Sequence, residues 1–506
     1  MSRTDAELSA PPDRDLSSVA TRPDGPLREY AAPIVLAAVM LAMGLFRLGS
    51  KTVWQDEAFT WSSATLSNGT FVANIAHHEA SLGLFLSLQR VWMWFGTGAF
   101  WIRLPSVIFA TAVIPVLWIV ARRLSDARTA TIAAALFVVN AAWLSHVQED
   151  RVYPLVVLLA CCSTYWFVRE VDAPGRRNRW WWVVTSVLMV LAHVLSALVL
   201  VAQILSLLVA RPDRQRTRHV LGGVGMMAWV VVPFGLVVAV QPVFKLADDS
   251  SPSLHFFTTT IRDLVGRGTP LLGLEALAAG AALYALYRIF RAHGRSDDAW
   301  RIALPALWFG FSVAAFFAYS QIAPVFQERY MLAFLPGAVI LVAMGIGLIP
   351  TRPLQALAVV VLLAFAGRGV WSWYDGEPRQ SWGSVARMLE RDARPNDAIV
   401  FEADLSRLPL AYQLRDEPAT QRKLSPTWPG GRPWTAGFTS DDYRFATISP
   451  ASITRAAAGH DRVWVVDVGV HDRDTRAAIR SLERRYRRVR DVRFDDLTRL
   501  ALYERR

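Results

Sequence analysis

The acidic stretch WQDEAFTW, residues 54–61, directly follows the first long apolar run and organises the rest of the chain. Two adjacent carboxylates, Asp56 and Glu57, stand here between tryptophans, which favour the membrane interface. Charged groups beside a membrane carry a desolvation cost, so they rarely serve packing alone. We therefore expect Asp56 and Glu57 to form the chemical centre, where a carboxylate can act as general base; a solvated pair of loop acids is the structural alternative.

The composition indicates a polytopic membrane protein with a soluble part. The 506 residues are 53% hydrophobic, and their mean hydropathy is +0.28, whereas soluble chains are about 45–50% apolar. The net charge is +12, but the arginines cluster in short breaks between apolar runs, as the positive-inside rule predicts. This distribution argues against a nucleic-acid partner. The two cysteines, Cys161 and Cys162, are adjacent within an apolar run, so they exclude a disulfide framework.

The apolar runs predict about eleven transmembrane helices in the plasma membrane. Residues 1–30 are polar and Pro-rich, carry Arg3, Arg14, Arg22 and Arg28, and read as a disordered cytoplasmic tail. With this tail in the cytoplasm, the Arg-rich breaks between the spans also fall on the cytoplasmic side. The outer loop at residues 49–103 carries the acidic stretch and a predicted surface helix at 84–95, for which a full span is the alternative. The runs lie near residues 31–48, 104–121, 129–144, 154–168, 180–210 (two spans), 220–240, 270–288, 302–319, 331–349 and 354–370.

The composition changes near residue 371, where charged residues rise and apolar runs shorten. The chain is thus predicted to comprise the tail, a transmembrane catalytic domain at residues 31–372, and a small extracytoplasmic α/β domain at residues 373–506. The elements predicted for this last domain are a helix at 383–394, strands at 398–401 and 462–470, a basic helix at 475–486 and two closing strands within 489–503.

The turn between the third and fourth predicted spans carries QEDRVY at residues 148–153. The guanidinium fork of Arg151 matches phosphate geometry, so Arg151 is a candidate anion ligand at the outer membrane face. The alternative is a local ion pair of Arg151 with Glu149 or Asp150. Tyr153 stands beside it in the same turn.

Two other outer turns also combine an arginine with possible partners. Arg329 and Tyr330 precede the tenth predicted span and have the same character as the QEDRVY turn. Arg103, in RLPS at residues 103–106, enters the second span, and its alternative is a side chain that snorkels to the interface.

The run His77-His78-Glu79 in the first outer loop raises the question of a metal site. Such a site needs three or four convergent ligands, and adjacent histidines rarely both bind one ion. We expect Glu79 and His78 to serve acceptor binding or to support the site; the sequence identifies no certain cofactor, and a divalent cation stays open. The sequence has no phosphate-binding P-loop and no Gly-x-Ser-x-Gly elbow, which argues against nucleotide hydrolysis and against a hydrolase of that type.

In their order and membrane side, these motifs together resemble the GT-C glycosyltransferases. The closest likeness is to the superfamily of protein O-mannosyltransferases and the bacterial lipid A aminoarabinose transferase, over roughly residues 31–372. The resemblance implies inverting transfer of a sugar from a polyprenyl-phosphate donor to a hydroxyl of a glycan, lipoglycan or protein acceptor at the outer face. By resemblance, Asp56 maps onto the catalytic base, Glu57 onto its neighbour and Arg151 onto a donor-phosphate contact.

The residues fit this chemistry, because a phosphate leaving group needs cationic partners such as Arg151 and Arg329. Tyr153 and Tyr330 are assigned to the same donor site, and Glu79, His78, Glu149 and Arg103 to the acceptor or a supporting role. One departure concerns the acceptor: where the family often has His-Pro-Pro-Leu-Tyr, this chain has SLGLF at residues 81–85. The donor sugar, mannose, arabinofuranose or another, stays open, and a lipid-linked-precursor flippase or a non-catalytic assembly protein are the alternative functions.

Overall fold

The computed structural model describes residues 30–211, 213–241, 251–376, 380–425, 435, 437, 448–468 and 473–506. The predicted cytoplasmic tail therefore lies outside the described residues, except for Tyr30. Within the described part, a bundle of helices precedes a five-stranded sheet that is covered by shorter helices.

The helical bundle extends from residue 31 to residue 375. Short 3₁₀ turns join several of its helices, including Ala80–Leu82, Val194–Ser196 and Glu328–Met331. Its helices are α1 (Ala31–Leu45), α2 (Gln55–Ala64), α3 (Asn68–His77), α4 (Gly83–Trp92), α5 (Ala99–Leu124), α6 (Ala127–Val138), α7 (Ala141–Val147), α8 (Tyr153–Asp172), α9 (Arg176–Ala192), α10 (Ala197–Ser206), α11 (Arg214–Val240), α12 (Leu254–Leu264), α13 (Thr269–His293), α14 (Asp297–Ala306), α15 (Ser312–Ser320), α16 (Leu335–Gly347) and α17 (Arg352–Asp375).

Among the described residues, six helices are long and apolar enough to cross a membrane. They are α5, α8, α11, α13, the continuous helix Asp297–Ser320 made by α14 and α15, and α17. The pair α6–α7, bent by 63°, adds a seventh if it is one span, and α1, Val194–Ser206 and α16 are shorter apolar helices. The chain is therefore a multi-pass membrane protein. A helix occupies each predicted span, but the count of eleven stays a prediction, because α1, α9, Val194–Ser206 and α16 are each shorter than the helices that are long enough to cross a membrane.

The bend between α6 and α7 has a local cause in Asn140. The Asn140 side chain accepts a hydrogen bond from the Trp143 N–H at 2.8 Å and so caps α7. Its amide also donates to the carbonyl of Leu264 at 3.0 Å, which ties the break to α12. Because of this bend, α7 leads directly into the QEDRVY turn, which the structure places beside α2.

Burial separates the centre of the bundle from its lipid-facing edge. In the apolar 18-residue stretch of α8, 67% is buried inside the protein, whereas in the corresponding stretches of α11 and α13 only 11% is buried. The exposed side chains of the latter two are large and apolar, as expected for surfaces that face lipid rather than water. The predicted surface helix at 84–95 is observed as α4 and a following 3₁₀ turn at Met93–Phe95; at ten residues, α4 is too short for a full span.

The C-terminal part forms a mixed sheet with its own hydrophobic core. The strand order is β2-β1-β3-β5-β4; β2, β1 and β3 run parallel, whereas β5 is antiparallel to both β3 and β4. The helices and strands predicted for this part are all observed, while β2 and the helices α19 to α21 were not predicted. The elements are α18 (Trp382–Asp392), β1 (Asp397–Phe401), α19 (Arg407–Gln413), α20 (Pro418–Lys423), β2 (Leu424–Ser425), α21 (Pro450–Ala457), β3 (Arg462–Asp467), α22 (Arg473–Glu483), β4 (Tyr486–Arg493) and β5 (Arg499–Arg505).

A small third cluster of buried apolar residues joins the two parts at α2 and α19. The Tyr412 ring meets Trp61 edge-on at 5.3 Å, and its hydroxyl donates to the carbonyl of Thr97 at 2.8 Å. Gln380 completes the contact, because its side-chain oxygen accepts from the backbone N–H of Gln55 at 3.1 Å. The C-terminal sheet is therefore attached to the helix that carries the acidic pair.

Candidate active site

The acidic pair opens helix α2. Asp56 and Glu57 both lie in its first turn, where carboxylates interact favourably with the exposed N–H groups and the helix dipole. Glu57 reaches back so that its Oε2 accepts from the Trp54 N–H at 3.3 Å, in the manner of a capping box. Successive residues of a helix point about 100° apart. The two carboxylates therefore enter different environments.

Glu57 lies in a fully closed ion pair with Arg103 of α5, which we call the sealed pair. The guanidinium forms two parallel bonds, Nε to Oε1 at 2.6 Å and Nη2 to Oε2 at 2.7 Å. The backbone N–H of Asp150 adds a third bond to Oε1 at 2.9 Å. The side chains of Glu57 and Arg103 are 0% and 3% exposed, so neither meets solvent.

Arg103 has no capacity left for a further ligand. Its Nη1 donates to the carbonyls of Leu48 at 2.8 Å and Lys51 at 2.9 Å, and its Nη2 donates to that of Thr52 at 3.2 Å. The alternative in which Arg103 snorkels to the interface is therefore wrong. Arg103 instead fastens the end of the first helix, the acidic helix α2 and the first residues of α5 to one another.

Asp56 lies in an ion-pair cluster with Arg151 and Arg329, which we call the open cluster. Its Oδ2 is 2.6 Å from Nη1 of Arg329 and 3.6 Å from Nη2 of Arg151. Arg151 also donates to the backbone carbonyl of Asp56 at 3.1 Å. The side chain of Asp56 is 20% exposed and that of Arg329 is 18% exposed, so this cluster is accessible where the sealed pair is not.

Both arginines of the open cluster stay charged despite their burial. Burial by itself would lower the pKa of each guanidinium, but Tyr153 and Asp56 beside them raise it above its ordinary value. The Nε–H groups of Arg151 and Arg329 have no hydrogen-bond partner among the described residues. Two positive charges with unused donors thus face one carboxylate, and the alternative of a local Arg151 pair with Glu149 or Asp150 is wrong.

The remaining residues of the QEDRVY turn serve the structure around the two ion pairs. Glu149 pairs with His146, Oε2 to Nδ1 at 3.0 Å, and is buried. The Asp150 carboxyl, fully buried, accepts from the Gln89 amide, and burial together with the nearby Glu57 raises its pKa well above the ordinary value. Gln148 donates to the carbonyl of Phe46 at 2.8 Å and accepts from the Trp373 indole at 2.8 Å.

Tyr153 and Tyr330 line a small cavity beside the open cluster. Their ring centroids are 6.2 Å apart, and the guanidinium groups of Arg151 and Arg329 each lie over the ring of the tyrosine nearest in sequence, at 5.7 Å and 5.4 Å. The cavity is lined by Tyr153, Val156, His193, Ser196, Arg329, Tyr330 and Ala333. The four predicted donor-site residues are therefore brought together, although Arg151 and Arg329 are far apart in sequence.

His78 and Glu79 lie at the end of α3 and are half-buried. The adjoining Ala80 N–H donates to the Gln241 side chain at 3.1 Å, so this loop is held by the end of α11. No group of three or more His, Cys, Asp and Glu side chains within the described ranges is arranged to hold a metal ion. The acceptor role predicted for His78 and Glu79 stays a prediction.

Two contributors to the site were not predicted. His193 follows the last residue of α9, and nothing in the sequence connects it to Arg329, with which it lines the cavity. Gln380, in the segment before α18, contacts the first turn of α2 through Gln55. Both contacts depend on residues more than a hundred positions apart, so no local pattern signals them.

One protein-family model matches part of the chain. Residues 83–239 match the family described as dolichyl-phosphate-mannose-protein mannosyltransferase. A search among curated proteins found no significant sequence relative.

Solved structures resemble the fold over nearly its whole length. ArnT from Cupriavidus metallidurans in the apo state aligns with a TM-score of 0.60 at 15% identity, covering 93% of this chain and 97% of its own. The oligosaccharyltransferase AglB from Archaeoglobus fulgidus aligns at 0.57 and 12% identity, covering 91% and 72%. The arabinofuranosyltransferase AftD from Mycobacteria aligns at 0.52 and 15% identity, covering 94% and 40%. At such low identity, these likenesses establish a common fold.

Proposed function

We propose that this chain, which has the GT-C fold of the protein mannosyltransferase and ArnT superfamily, is an inverting glycosyltransferase of the cell envelope. It would move a sugar from a polyprenyl-phosphate donor to an acceptor hydroxyl. The observation that carries the proposal is the open cluster, in which one accessible carboxylate shares two charged arginines beside a cavity. Structural neighbours are described as bound to undecaprenyl phosphate, for ArnT, and dolichol phosphate, for AglB.

The arginines of the open cluster suit the phosphate of such a donor. A guanidinium forms two parallel bonds to a phosphate and keeps its charge when buried. Arg151 and Arg329 have N–H groups without partners among the described residues, and Tyr153 and Tyr330 add hydroxyl groups at the same place. The donor phosphate would therefore compete with Asp56 for both arginines. When it binds, Asp56 loses its ion pairs and becomes available as a base.

The transfer step then follows from these positions. The acceptor hydroxyl oxygen attacks the anomeric carbon, the bond from that carbon to the phosphate oxygen breaks, and the electron pair stays with the phosphate. Asp56 accepts the hydroxyl proton, and Arg151 and Arg329 stabilise the second negative charge that develops on the leaving polyprenyl phosphate. Attack from the side opposite the phosphate inverts the anomeric centre.

Glu57 serves this reaction as a positioning residue. Its carboxylate is fully buried and its two oxygens are bonded by Arg103 and by backbone N–H groups, so it has no access to a substrate. The predicted catalytic role of the acidic pair is thus proposed to belong to Asp56 alone. Glu57 sets the direction of α2 and, with it, the position of the Asp56 carboxylate.

The proposed reaction implies an orientation of the chain in the plasma membrane. An activated sugar carried on lipid is needed outside the cytoplasm, where nucleotide sugars are absent, so α2 and the open cluster would face outward. The C-terminal sheet packs on α2 and would lie on that side as well, with the N-terminus in the cytoplasm. His78 and Glu79 are retained as candidates for acceptor binding, with glycan, lipoglycan and protein acceptors open, whereas Glu149, buried in its pair with His146, would support the site.

The test is a transfer assay with the purified full chain in detergent. A panel of radiolabelled polyprenyl-phosphate sugars, including mannose and arabinofuranose, is offered with a crude envelope acceptor. Asp56→Asn is expected to lower turnover by about 100- to 10,000-fold, as for loss of a general base. Asp496→Asn, which changes an almost fully exposed carboxylate, is the matched control and should keep full activity.

Two other outcomes decide against the proposal or refine it. Equal transfer by wild type and Asp56→Asn would remove Asp56 from the mechanism. Passage of the lipid-linked sugar across vesicles without any transfer would favour the flippase alternative. Addition of a chelator in the same assay tests the divalent cation that the sequence leaves open.

A further inference from the structure

The cavity beside the open cluster contains one ionisable side chain that the transfer step does not use. His193 is 9% exposed, and its ring lies 5.2 Å from the Tyr330 centroid and 6.3 Å from the Tyr153 centroid. It lines the same cavity as Arg329. Within the described residues, no hydrogen bond or ion pair engages its imidazole nitrogens.

Backbone hydrogen bonds fix the position of His193 beside the cavity. Helix α9 ends at Ala192, and His193 is extended, with φ −162° and ψ 117°. Its carbonyl accepts from the Ser196 hydroxyl at 2.7 Å and from the Ser196 N–H at 3.0 Å. These bonds close the turn between α9 and α10 and hold the residue at the edge of the cavity.

The aromatic and charged groups near His193 include no carboxylate among the described residues that line the cavity. Tyr153 and Tyr330 lie near the ring, Arg329 lines the same cavity, and the His146 ring lies 5.3 Å from that of Tyr153. Burial, with Arg151 and Arg329, lowers the pKa of His193 to about 4. Asp56 is drawn to the arginines and compensates their charge only in part. The imidazole is therefore neutral at pH 7 with these neighbours alone.

A phosphate held by the two arginines would reverse this balance. The donor is a phosphodiester with one negative charge, and the product is a phosphomonoester whose second pKa is about 6, so it carries close to two charges at pH 7. Each added negative charge beside the imidazole favours its protonated form. His193 and Arg329 line the same cavity, so the imidazole lies close to the phosphate charge that Arg329 would hold.

We propose that His193 is a further donor-site residue, which donates a hydrogen bond to the phosphate and takes up one proton as the polyprenyl monophosphate forms. This inference rests on the proposed function. The acceptor proton goes to Asp56, the electron pair of the broken bond goes to the phosphate, and the proton on His193 comes from solution. The imidazolium then balances the second charge of the product until it leaves.

The experiment measures protons taken up when polyprenyl phosphate binds to the full chain in detergent at pH 7. Titration calorimetry in two buffers of different ionisation enthalpy gives the net number of protons. Wild type should show net uptake, because His193 takes up a proton when the dianion binds, whereas the arginines alone would favour the dianion and cause a small release. His193→Gln, which keeps a hydrogen-bond donor but cannot be protonated, should lose this uptake and bind about tenfold more weakly.

Two controls keep the outcomes separate. His219→Gln changes a partly exposed histidine that pairs with Glu170 and should leave proton uptake as in wild type. A methyl ester of polyprenyl phosphate, with a single charge, should bind wild type with much less uptake, a comparison that needs no variant. The role of His193 would be overturned if wild type took up as many protons with the methyl ester as with polyprenyl phosphate itself. It would also be overturned if a folded His193→Gln took up as many protons as wild type. Neither outcome would affect the proposed function. Failure of wild type to bind polyprenyl phosphate at all would overturn the proposed function together with the role of His193.

Discussion

Asp56 and Glu57 are neighbours in sequence, yet they belong to two ion-pair regions of opposite character. The sealed pair of Glu57 and Arg103 is fully buried and every oxygen of its carboxylate is bonded. In the open cluster, Asp56 and Arg329 are about one-fifth exposed, and both arginines retain N–H groups without partners among the described residues. The difference teaches that one helical turn can carry a fixed anchor on one side and an exchangeable contact on the other.

The two regions should respond differently to a loss of charge. Removing one member of a buried pair leaves an uncompensated charge, which costs about 3–5 kcal/mol of stability. Removing one member of a partly exposed pair costs far less, because water replaces the lost partner. Changes in the sealed pair should therefore appear as loss of stability, and changes in the open cluster as altered binding and turnover.

The largest effect on stability is expected for Arg103→Met. This change strands the Glu57 carboxylate and frees three backbone carbonyls, so we expect a loss of about 3–5 kcal/mol in the free energy of unfolding. Thermal unfolding of the detergent-solubilised chain measures it. Arg493→Met, in a pair whose side chains are 65% and 99% exposed, is the control and should change stability by less than about 1 kcal/mol.

A second variant sharpens this prediction. Glu57→Gln combined with Arg103→Met removes both charges, so the double variant should be more stable than Arg103→Met alone. If the single and double variants were equally destabilised, the cost would come from lost packing and the ion pair would not be the anchor.

The next effect concerns pH and Asp150, which adjoins the sealed pair. Because its pKa is raised well above the ordinary value, the folded state holds a proton that the unfolded state releases once pH exceeds the ordinary aspartate range. Stability should thus fall as pH rises through that window, by at most about 1.4 kcal/mol per pH unit. Asp150→Asn should remove this slope, and unfolding curves between pH 5 and pH 8 would reveal it. Parallel curves for both proteins would contradict the raised pKa of Asp150.

A moderate effect is expected in the open cluster for Arg329→Lys. The ammonium keeps the charge but cannot form two parallel bonds, so the KM for the donor should rise about tenfold with little change in stability. Steady-state kinetics with varied donor would measure it, with Arg391→Lys, an arginine of the C-terminal part whose side chain is 65% exposed, as control. An unchanged donor KM would place the phosphate elsewhere.

The smallest effect is expected at the contact that joins the C-terminal sheet to α2. Gln380→Ala removes the acceptor for the Gln55 N–H and for the Trp382 indole, which should cost about 1 kcal/mol of stability. Turnover should fall less than tenfold, because the first turn of α2 loses only one support. A turnover equal to wild type would show that the sealed pair alone positions Asp56.

Much of this organisation could be predicted from sequence, because its signals are local. The apolar runs predict where helices occur, and RVWVVD predicts the buried strand β3. The adjacency of Asp56 and Glu57 also predicts that they face different surroundings. The partner of each carboxylate could not be predicted, because Arg329 is separated from Asp56 by 273 residues and Arg103 from Glu57 by 46.

The same reason explains the alternatives that failed. A local pair of Arg151 with Glu149 or Asp150 was reasonable from spacing, but the bent turn directs Arg151 toward α2 while Glu149 bonds His146. Snorkelling of Arg103 was reasonable from its place at the start of a span, but five of its bonds lie inside the protein. Tertiary packing decided both, and short sequence motifs carry no information about it.

The most direct test of the exchange between Asp56 and the donor phosphate is the affinity of Asp56→Asn for polyprenyl phosphate. The variant keeps the shape of the side chain but removes the charge that competes for Arg151 and Arg329. Calorimetry with wild type and variant should show about tenfold tighter binding by Asp56→Asn, together with the loss of transfer. Equal or weaker binding by the variant would contradict the release of Asp56 by the donor.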